Sequence, residues 1–256
     1  MSSGPTDARP LQIRVVDELR RRIEVGDYRP GQQLPTLDEL ADQFSCSLAV
    51  TRRAVDLLKQ QGLVVTVQGK GTFVRERPHA RRHAMERYSR QRRQRGEAIL
   101  VAEAQEQGHT VNQLIRELAE VPAPVRVAER LRITRGTPVW VRRRTTLIDG
   151  RPSQLEDSYY ELAVVDGTRI REEDTGPGGS LARLEDMGFL LDQIEEEIDV
   201  RMPTGPESVA LRLPAGTPVW ELRRTVYDTT GRPVEVTLAV IAGDMTTFTY
   251  RFKFPD

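Results

Sequence analysis

Two adjacent arginines, Arg52 and Arg53, follow Ser47 within the stretch S-L-A-V-T-R-R-A-V-D-L-L-K-Q, whose apolar residues recur at helical spacing. A guanidinium carried on a helix can donate two parallel hydrogen bonds to guanine O6 and N7, a pairing worth roughly 1–3 kcal/mol of discrimination between bases. Leu48, Ala49 and the methyl of Thr51, in the same first turns, suit contact with a thymine methyl. Lys70 stands between Gly69 and Gly71, where missing side chains let a cation and the backbone approach a phosphate or a minor groove. Glu156 and Glu235 could form a general acid–base pair, but no nucleophile or metal pattern accompanies them, so no catalytic residue is assigned. His79 and His83 have the i, i+4 spacing of metal ligands, yet no third ligand is evident and no metal or other cofactor is expected. Cys46 reads as core packing, with a redox sensor as the alternative.

These groups need rigid carriers. Residues 11–25 place Leu11, Val15, Val16, Leu19 and Ile23 on one helical face, and Gly26 suits the stop. Thr36-Leu37-Asp38-Glu39 has the spacing of a capping box opening a second helix, with Leu37, Leu40, Ala41 and Phe44 facing inward. Ser45-Cys46 makes a turn. Ser47 then caps a third helix ending at Gln61, with Val50, Ala54, Leu57 and Leu58 as its expected buried side. Leu63–Val67 reads as a strand, Thr72-Phe73-Val74 as its partner and Gln68-Gly69-Lys70-Gly71 as the tip between them. Helices and hairpin in this order form the pattern of a winged helix-turn-helix, whose third helix enters the major groove of DNA. DNA is therefore the first partner to consider.

The net charge of zero hides an asymmetry. Residues 1–95 carry 19 Lys and Arg against 11 Asp and Glu, and the remainder carries 19 against 27. A basic N-terminal part suits a phosphate backbone, although solvated surface is the other reading. Residues 78–95, P-H-A-R-R-H-A-M-E-R-Y-S-R-Q-R-R-Q-R, are rich in arginine and nearly free of apolar residues. They read as a linker, partly helical and within reach of DNA phosphates, or as a plain solvated connector. No apolar run reaches the roughly 20 residues of a bilayer-spanning helix. The polar residues 1–9 lack the apolar core of a signal peptide, and a single cysteine suits a reducing compartment, so a cytoplasmic location without membrane partner is expected.

The second part of the chain contains an internal echo. Gly136-Thr137-Pro138-Val139-Trp140 recurs as Gly216-Thr217-Pro218-Val219-Trp220, Arg143-Arg144-Thr145 as Arg223-Arg224-Thr225, and Gly150-Arg151-Pro152 as Gly231-Arg232-Pro233. Each copy follows a helix-like stretch (126–131 and 206–211) and continues as strand, turn and strand. Two such units about 80 residues apart argue for one pseudo-symmetric α+β domain with an antiparallel sheet. A glycine-rich stretch, Gly176-Pro177-Gly178-Gly179, precedes a helix from Ser180 to about Met187. Trp140 and Trp220 are expected in the core rather than stacked on a ligand. Glu195-Glu196-Glu197 is expected on an exposed strand edge or face. Arg144 and Arg224 are repeat mates, one suited to anchor a ligand and the other to a structural ion pair.

Residues 11–74 resemble the DNA-binding domain of the GntR family of bacterial transcription regulators. The resemblance rests on P-G-x-x-L-P, E-L-A, S-x-x-x-x-R-R-A, Gly62-Leu63 and Q-G-x-G-T-F-V. The second part resembles the UTRA effector-binding domain of the HutC subfamily, whose fold is similar to chorismate lyase. The signs there are G-x-P-V, D-G-R-P, Glu156 to Tyr159 as E-x-S-Y, Gly-Gly-Ser-Leu with Leu184-Glu185, and G-R-P-V-E. The resemblance implies a homodimer that binds a palindromic operator and releases or shifts on it when a small molecule binds. It implies operator contact by Thr36, Ser47, Leu48, Ala49, Thr51, Arg52, Arg53, Gly69 and Lys70. For the effector it implies Arg144, Glu156, Ser180, whose helix N-terminus can hold an anion, and Glu235.

Departures from the family pattern shape two expectations. Asp38 stands where an arginine that reads a base is usual, and Leu48-Ala49-Val50 replaces the common Arg-x-Thr, implying a different operator with more apolar readout. Thr146 replaces the second arginine of an R-x-R pair counted from Arg144, and Ile241-Ala242 replaces a Tyr-Arg. Those three positions point to an effector less charged or more apolar than a phosphosugar.

The expected fold is α+β: a winged helix-turn-helix over 8–77, a basic linker over 78–96, and a chorismate-lyase-like antiparallel-sheet domain for effector binding and dimerisation over 97–256. The expected function is a ligand-responsive repressor. The alternatives are a DNA-binding regulator whose second domain only dimerises, and an enzyme built on that domain.

Overall fold

Capping residues lie where hydrogen-bond accounting needs them. Thr36 Oγ1 accepts from Glu39 N while the Glu39 carboxylate accepts from Thr36 N, and Ser47 accepts from Val50 N, so two helix starts are fixed by local sequence. The computed structural model describes residues 9–75, 80–83, 88 and 106–251. The chain divides into two compact units whose main boundary falls between Arg77 and Pro78.

The first unit contains α1 (Leu11–Glu24), α2 (Leu37–Gln43), α3 (Leu48–Gln60) and an antiparallel hairpin of β1 (Val64–Val67) and β2 (Gly71–Val74). Val15, Val16 and Leu19 of α1 meet Leu40 of α2, Ala54, Val55 and Leu58 of α3, and Val64 and Val74 of the hairpin in one core. Leu11 remains exposed, and Ile23 packs at the rim. The buried stripe of α3 is Thr51, Ala54, Val55 and Leu58, one step round from the expected one, leaving Val50 and Leu57 half-buried. Spacings of three and four residues bring the buried four onto one helical face. Cys46 is half-buried against the same core, as a packing residue would be.

The second unit is built on a six-stranded antiparallel sheet in the order β4-β5-β6-β9-β8-β7. Its strands are β4 (Val111–Pro122), β5 (Pro138–Ile148), β6 (Arg151–Glu161), β7 (Leu191–Arg201), β8 (Val219–Asp228) and β9 (Pro233–Ala242). Helix α4 (Val125–Leu131) precedes the β5–β6 hairpin, and α7 (Gly205–Ala210) precedes the β8–β9 hairpin. The repeat is therefore strand, helix, hairpin. Its first strands, β4 and β7, form the two sheet edges and were not legible as part of the duplication. The hairpins pair through β6 and β9. Each carries its extra residue at the corresponding place, Ser153 opposite Thr146/Leu147 and Val234 opposite Val226/Tyr227.

Between the repeats lie α5 (Leu162–Val165), a 3₁₀ turn (Arg169–Arg171) and α6 (Gly179–Asp186). Tyr160, Val164, Ile170, Leu181 and Leu184 pack there with Val226 and Val234. A separate parallel pair joins β3 (Ala80–His83) to β10 (Thr246–Thr249). Of the expected linker, residues 80–83 are thus a strand rather than helix. Tyr88 is also described, and the other linker positions, His79 included, lie outside the described residues. Among the described residues no group of metal-binding side chains occurs and no helix is long and apolar enough to cross a membrane.

Candidate functional site

In the first unit, the capped start of α3 presents Ser47, Leu48, Ala49, Arg52 and Arg53 to solvent. Leu48 is 45% exposed, a position no core requirement explains. Neither Arg52 nor Arg53 is held by a hydrogen bond or ion pair among the described residues, so both guanidinium groups keep their donors available. Thr51 is a correction. It is fully buried, its hydroxyl donates to the Ser47 carbonyl at 3.2 Å, and it lies 3.4 Å from Cys46 Sγ. Its methyl faces the core and is unavailable to a base. Thr36 is exposed, but its hydroxyl is committed to the α2 cap, donating to Glu39 Oε2 at 2.9 Å.

At the hairpin tip Gly69 has φ +73 with open space where a Cβ would sit, so its requirement is conformational. Gly71 differs: a Cβ there would lie 2.4 Å from Gln33 Nε2, whose amide holds the Lys70 carbonyl at 3.0 Å. Lys70 is exposed beside them.

In the second unit Arg144, Glu156, Ser180 and Glu235, widely separated in sequence, line a single cavity of about 330 Å³. Period-two geometry explains the sheet contribution, since Arg142 and Arg144 on β5 and Glu156 on β6 project to one face. Arg224 and Glu235 of the second hairpin complete that floor. Gln113 and Ile115 of β4, the loop from Glu173 to Gly179, Ser180 and Leu181 of α6, and Arg82 of β3 complete the walls.

A continuous polar chain ties the floor together. Arg144 pairs with Glu156 and donates to Ser158 Oγ at 3.1 Å. Ser158 meets Thr237 across the β6–β9 junction at 3.1 Å. Arg224 donates to Thr237 at 3.1 Å and to Glu235 at 2.5 Å, and Tyr160 donates to Glu235 at 2.6 Å. Arg144 and Arg224 therefore share one role, each paired with a glutamate and each facing the cavity. Their glutamates are not repeat mates: Glu235 faces Val226 as Gln154 faces Thr146, while Glu156 faces Arg144 as Thr237 faces Arg224.

Burial works against the charged form of Arg224, yet Glu235, Tyr88 and Glu156 carry its pKa well above the ordinary arginine value. Burial and the Glu235 carboxylate push the Tyr160 hydroxyl far above the usual tyrosine range, so it stays a donor. Arg142 was missed in the sequence. Its Nη1 donates to the carbonyls of Ile170, at 2.7 Å, and Glu172, and its Nη2 to that of Glu173 at 3.1 Å. Burial lowers its pKa, Tyr160, Asp174 and Glu156 work the other way, and among the described residues its hydrogen bonds go to backbone carbonyls. An R-x-R count begun at Arg142 rather than Arg144 would have found it.

Thr146, Ile241 and Ala242 do not line the cavity. Ile241 packs with Leu222 and Ala239, and Ala242 with Ile148 and Met245. The three positions that suggested a less charged or more apolar effector therefore lie outside the lining, which carries Arg82, Arg142, Arg144 and Arg224 together with Glu156, Glu173, Asp174 and Glu235. Trp140 lies beneath the Arg171 guanidinium at 4.6 Å, and Trp220 meets Phe248 edge-on at 5.5 Å; both are packing residues outside the cavity lining. On edge strand β7, Glu195 accepts from Tyr227, Glu196 from Tyr88, and Glu197 from Arg130 and Arg223.

Residues 11–74 match the family described as bacterial regulatory proteins, gntR family, and residues 106–247 match the UTRA domain. The chain is 33% identical over 253 residues to an uncharacterized HTH-type transcriptional regulator of Streptomyces coelicolor, covering 96% of this chain and 94% of that protein. It is 25% identical to the mannosyl-D-glycerate transport/metabolism system repressor MngR of Escherichia coli, covering 89% of each. Among solved structures, a GntR-family transcriptional regulator superposes with a TM-score of 0.66 at 26% identity, over 96% of this chain and 99% of that one. These relatives are regulators of transcription rather than enzymes, which sets aside acid–base catalysis by Glu156 and Glu235. The chain belongs to the GntR family of bacterial transcription regulators, with a helix-turn-helix DNA-binding unit followed by a UTRA domain.

Proposed function

We propose that this regulator is a repressor of the HutC type, cytoplasmic and homodimeric, that binds a palindromic operator and is released or repositioned by a small polar effector carrying an anionic group. The observation that carries the effector reading is the convergence of Arg142, Arg144, Arg224, Glu156, Glu235 and Ser180 on one cavity. Arginines and the N-terminus of α6 suit an anion, while the glutamates suit hydroxyl or amino groups. Operator readout is assigned to Leu48, Ala49, Arg52 and Arg53, with Ser47, Thr36, Gly69 and Lys70 near the phosphates. The basic linker over 78–96 and the domain bounds at 8–77 and 97–256 belong to the same reading.

The switch is linkage: an effector that binds better to the dimer geometry unable to engage DNA lowers operator affinity by that difference. The test is a thermal-shift screen of phosphorylated, carboxylated and neutral metabolites, followed by operator-release anisotropy. Stabilisation by an anionic compound that also releases DNA, and is lost in Arg144→Gln, is expected. Stabilisation by neutral apolar compounds alone would overturn the effector class. No stabilising ligand across the set would favour a domain that only dimerises.

A further inference from the structure

Arg82 belongs to a stretch that composition describes as a connector, yet it is 5% exposed and forms part of the cavity wall with Arg144, Arg224, Glu156 and Glu235. Its backbone is fixed by the parallel pairing of β3 with β10, which aligns Arg82 with Phe248. Its guanidinium lies 5.3 Å from the Phe248 ring centroid, and that ring meets Trp220 edge-on at 5.5 Å. Six residues on, Tyr88 donates to Glu196 at 2.5 Å, accepts from Arg224 Nη1 at 3.4 Å, and its ring lies 5.8 Å from the Arg224 guanidinium. Two side chains of this stretch are therefore tied to the cavity: Arg82 forms part of its wall, and Tyr88 contacts the wall arginine Arg224. In sequence the same stretch follows directly on the DNA-binding unit.

We infer that Arg82 is an effector-contacting residue, and that occupancy of the cavity holds β3, which carries it, on β10. The inference rests on the effector reading above and adds a residue to it. A bound anion drawn to Arg144 and Arg224 gains a further donor from Arg82, because arginine forks suit anionic oxygens. An anion that engages Arg82 favours the state in which β3 is docked on β10. An effector shifts an equilibrium only by its differential contacts, and Arg82 supplies such a contact on β3.

The test uses the full-length protein and inorganic phosphate, with sodium chloride matched for ionic strength. Hydrogen exchange of the 80–83 and 246–249 amides is expected to slow when phosphate binds. Trp220 emission, followed in a Trp140→Phe background, is expected to shift with the same dissociation constant. Arg82→Gln is expected to weaken phosphate binding by about tenfold or more, as loss of a hydrogen bond to a charged group does. Arg82→Lys is expected to restore part of the affinity, and Arg232→Gln, on a surface ion pair, to leave it unchanged. Loss of phosphate binding in Arg144→Gln, with parental affinity in Arg82→Gln and unmoved exchange over 80–83, would overturn the inference while leaving the cavity reading intact. A parent protein that takes up no phosphate overturns the inference, and the metabolite screen decides the effector reading separately. The exchange measurement needs no substitution, so it decides even if the Arg82 variants fold poorly.

Discussion

Replacing Glu235 by glutamine tests how far the polar floor of the second unit is a set of buried, mutually dependent charges. Glu235 is 1% exposed and accepts from Arg224 at 2.5 Å, Tyr160 at 2.6 Å and Thr237 at 3.2 Å. Glu235→Gln keeps the shape and one acceptor oxygen but removes the charge. Two unit charges about 4 Å apart attract by about 4 kcal/mol at an effective dielectric constant of about 20. The Tyr160 bond also falls from charge-assisted to neutral, a loss of about 1 kcal/mol. Reorientation of Arg224 toward Tyr88 and the cavity returns part of this, leaving a net cost of about 3 kcal/mol, at the lower end of what breaking a buried pair costs. At roughly 2–4 °C per kcal/mol for a domain of this size, Tm falls by about 6–12 °C.

The chain's two tryptophans both lie in the second unit, so their emission reports its unfolding. Glu161→Gln is the control, because it removes the partner of the half-exposed Arg232 at 2.8 Å and costs under about 0.5 kcal/mol. A second consequence has the opposite sign: the cavity gains positive charge, so inorganic phosphate binds Glu235→Gln more tightly than the parent. A Tm within about 2 °C of the parent, with phosphate affinity unchanged, would refute the buried-pair reasoning.

Three other substitutions probe the remaining claims. Arg52→Ala should weaken binding to an operator selected from random duplexes by roughly 1–3 kcal/mol per half-site, reduce preference at the base it reads, and leave Tm within about 1 °C of the parent. Equal affinity in an anisotropy titration would remove Arg52 from the readout. Thr51→Val, by contrast, should lower the stability of the first unit by about 1 kcal/mol through loss of the hydroxyl bond to Ser47, with operator preference unchanged; altered base preference in a selection would contradict its burial. Glu207, held by Arg201 at 2.7 Å and by the Thr204 amide at 2.7 Å, has its pKa lowered to about 2, chiefly by the Arg201 hydrogen bonds. Its folded pKa is depressed, so its contribution is present above the ordinary pKa of 4.5 and is lost as pH falls toward 2. With Arg201 partly exposed, that contribution is about 1–2 kcal/mol after screening. The stability gap between parent and Glu207→Gln in urea melts should therefore shrink between about pH 4.5 and pH 2.

Local chemistry made much of this protein legible in its sequence. Capping boxes, turn glycines and apolar periodicity act between residues a few positions apart, so the starts of α2 and α3, the hairpin tip and the duplicated hairpins could all be read directly. Which face of α3 is buried could not. Val50 and Leu57 are apolar enough for the core, but the packing of α1 and the hairpin turns Thr51 and Val55 inward and leaves Leu48 outside. The cavity shows the same division. Family resemblance marked Arg144, Glu156, Ser180 and Glu235 as groups to meet a ligand, since their motifs are local runs of residues. That Arg142 and Arg82 line the same cavity, and that Thr146, Ile241 and Ala242 do not, follows from the folded arrangement alone. Strand register and the pairing of β3 with β10 are long-range choices: a shift of one residue exchanges the faces of a strand, and no local spacing records which strand an arginine-rich stretch will join.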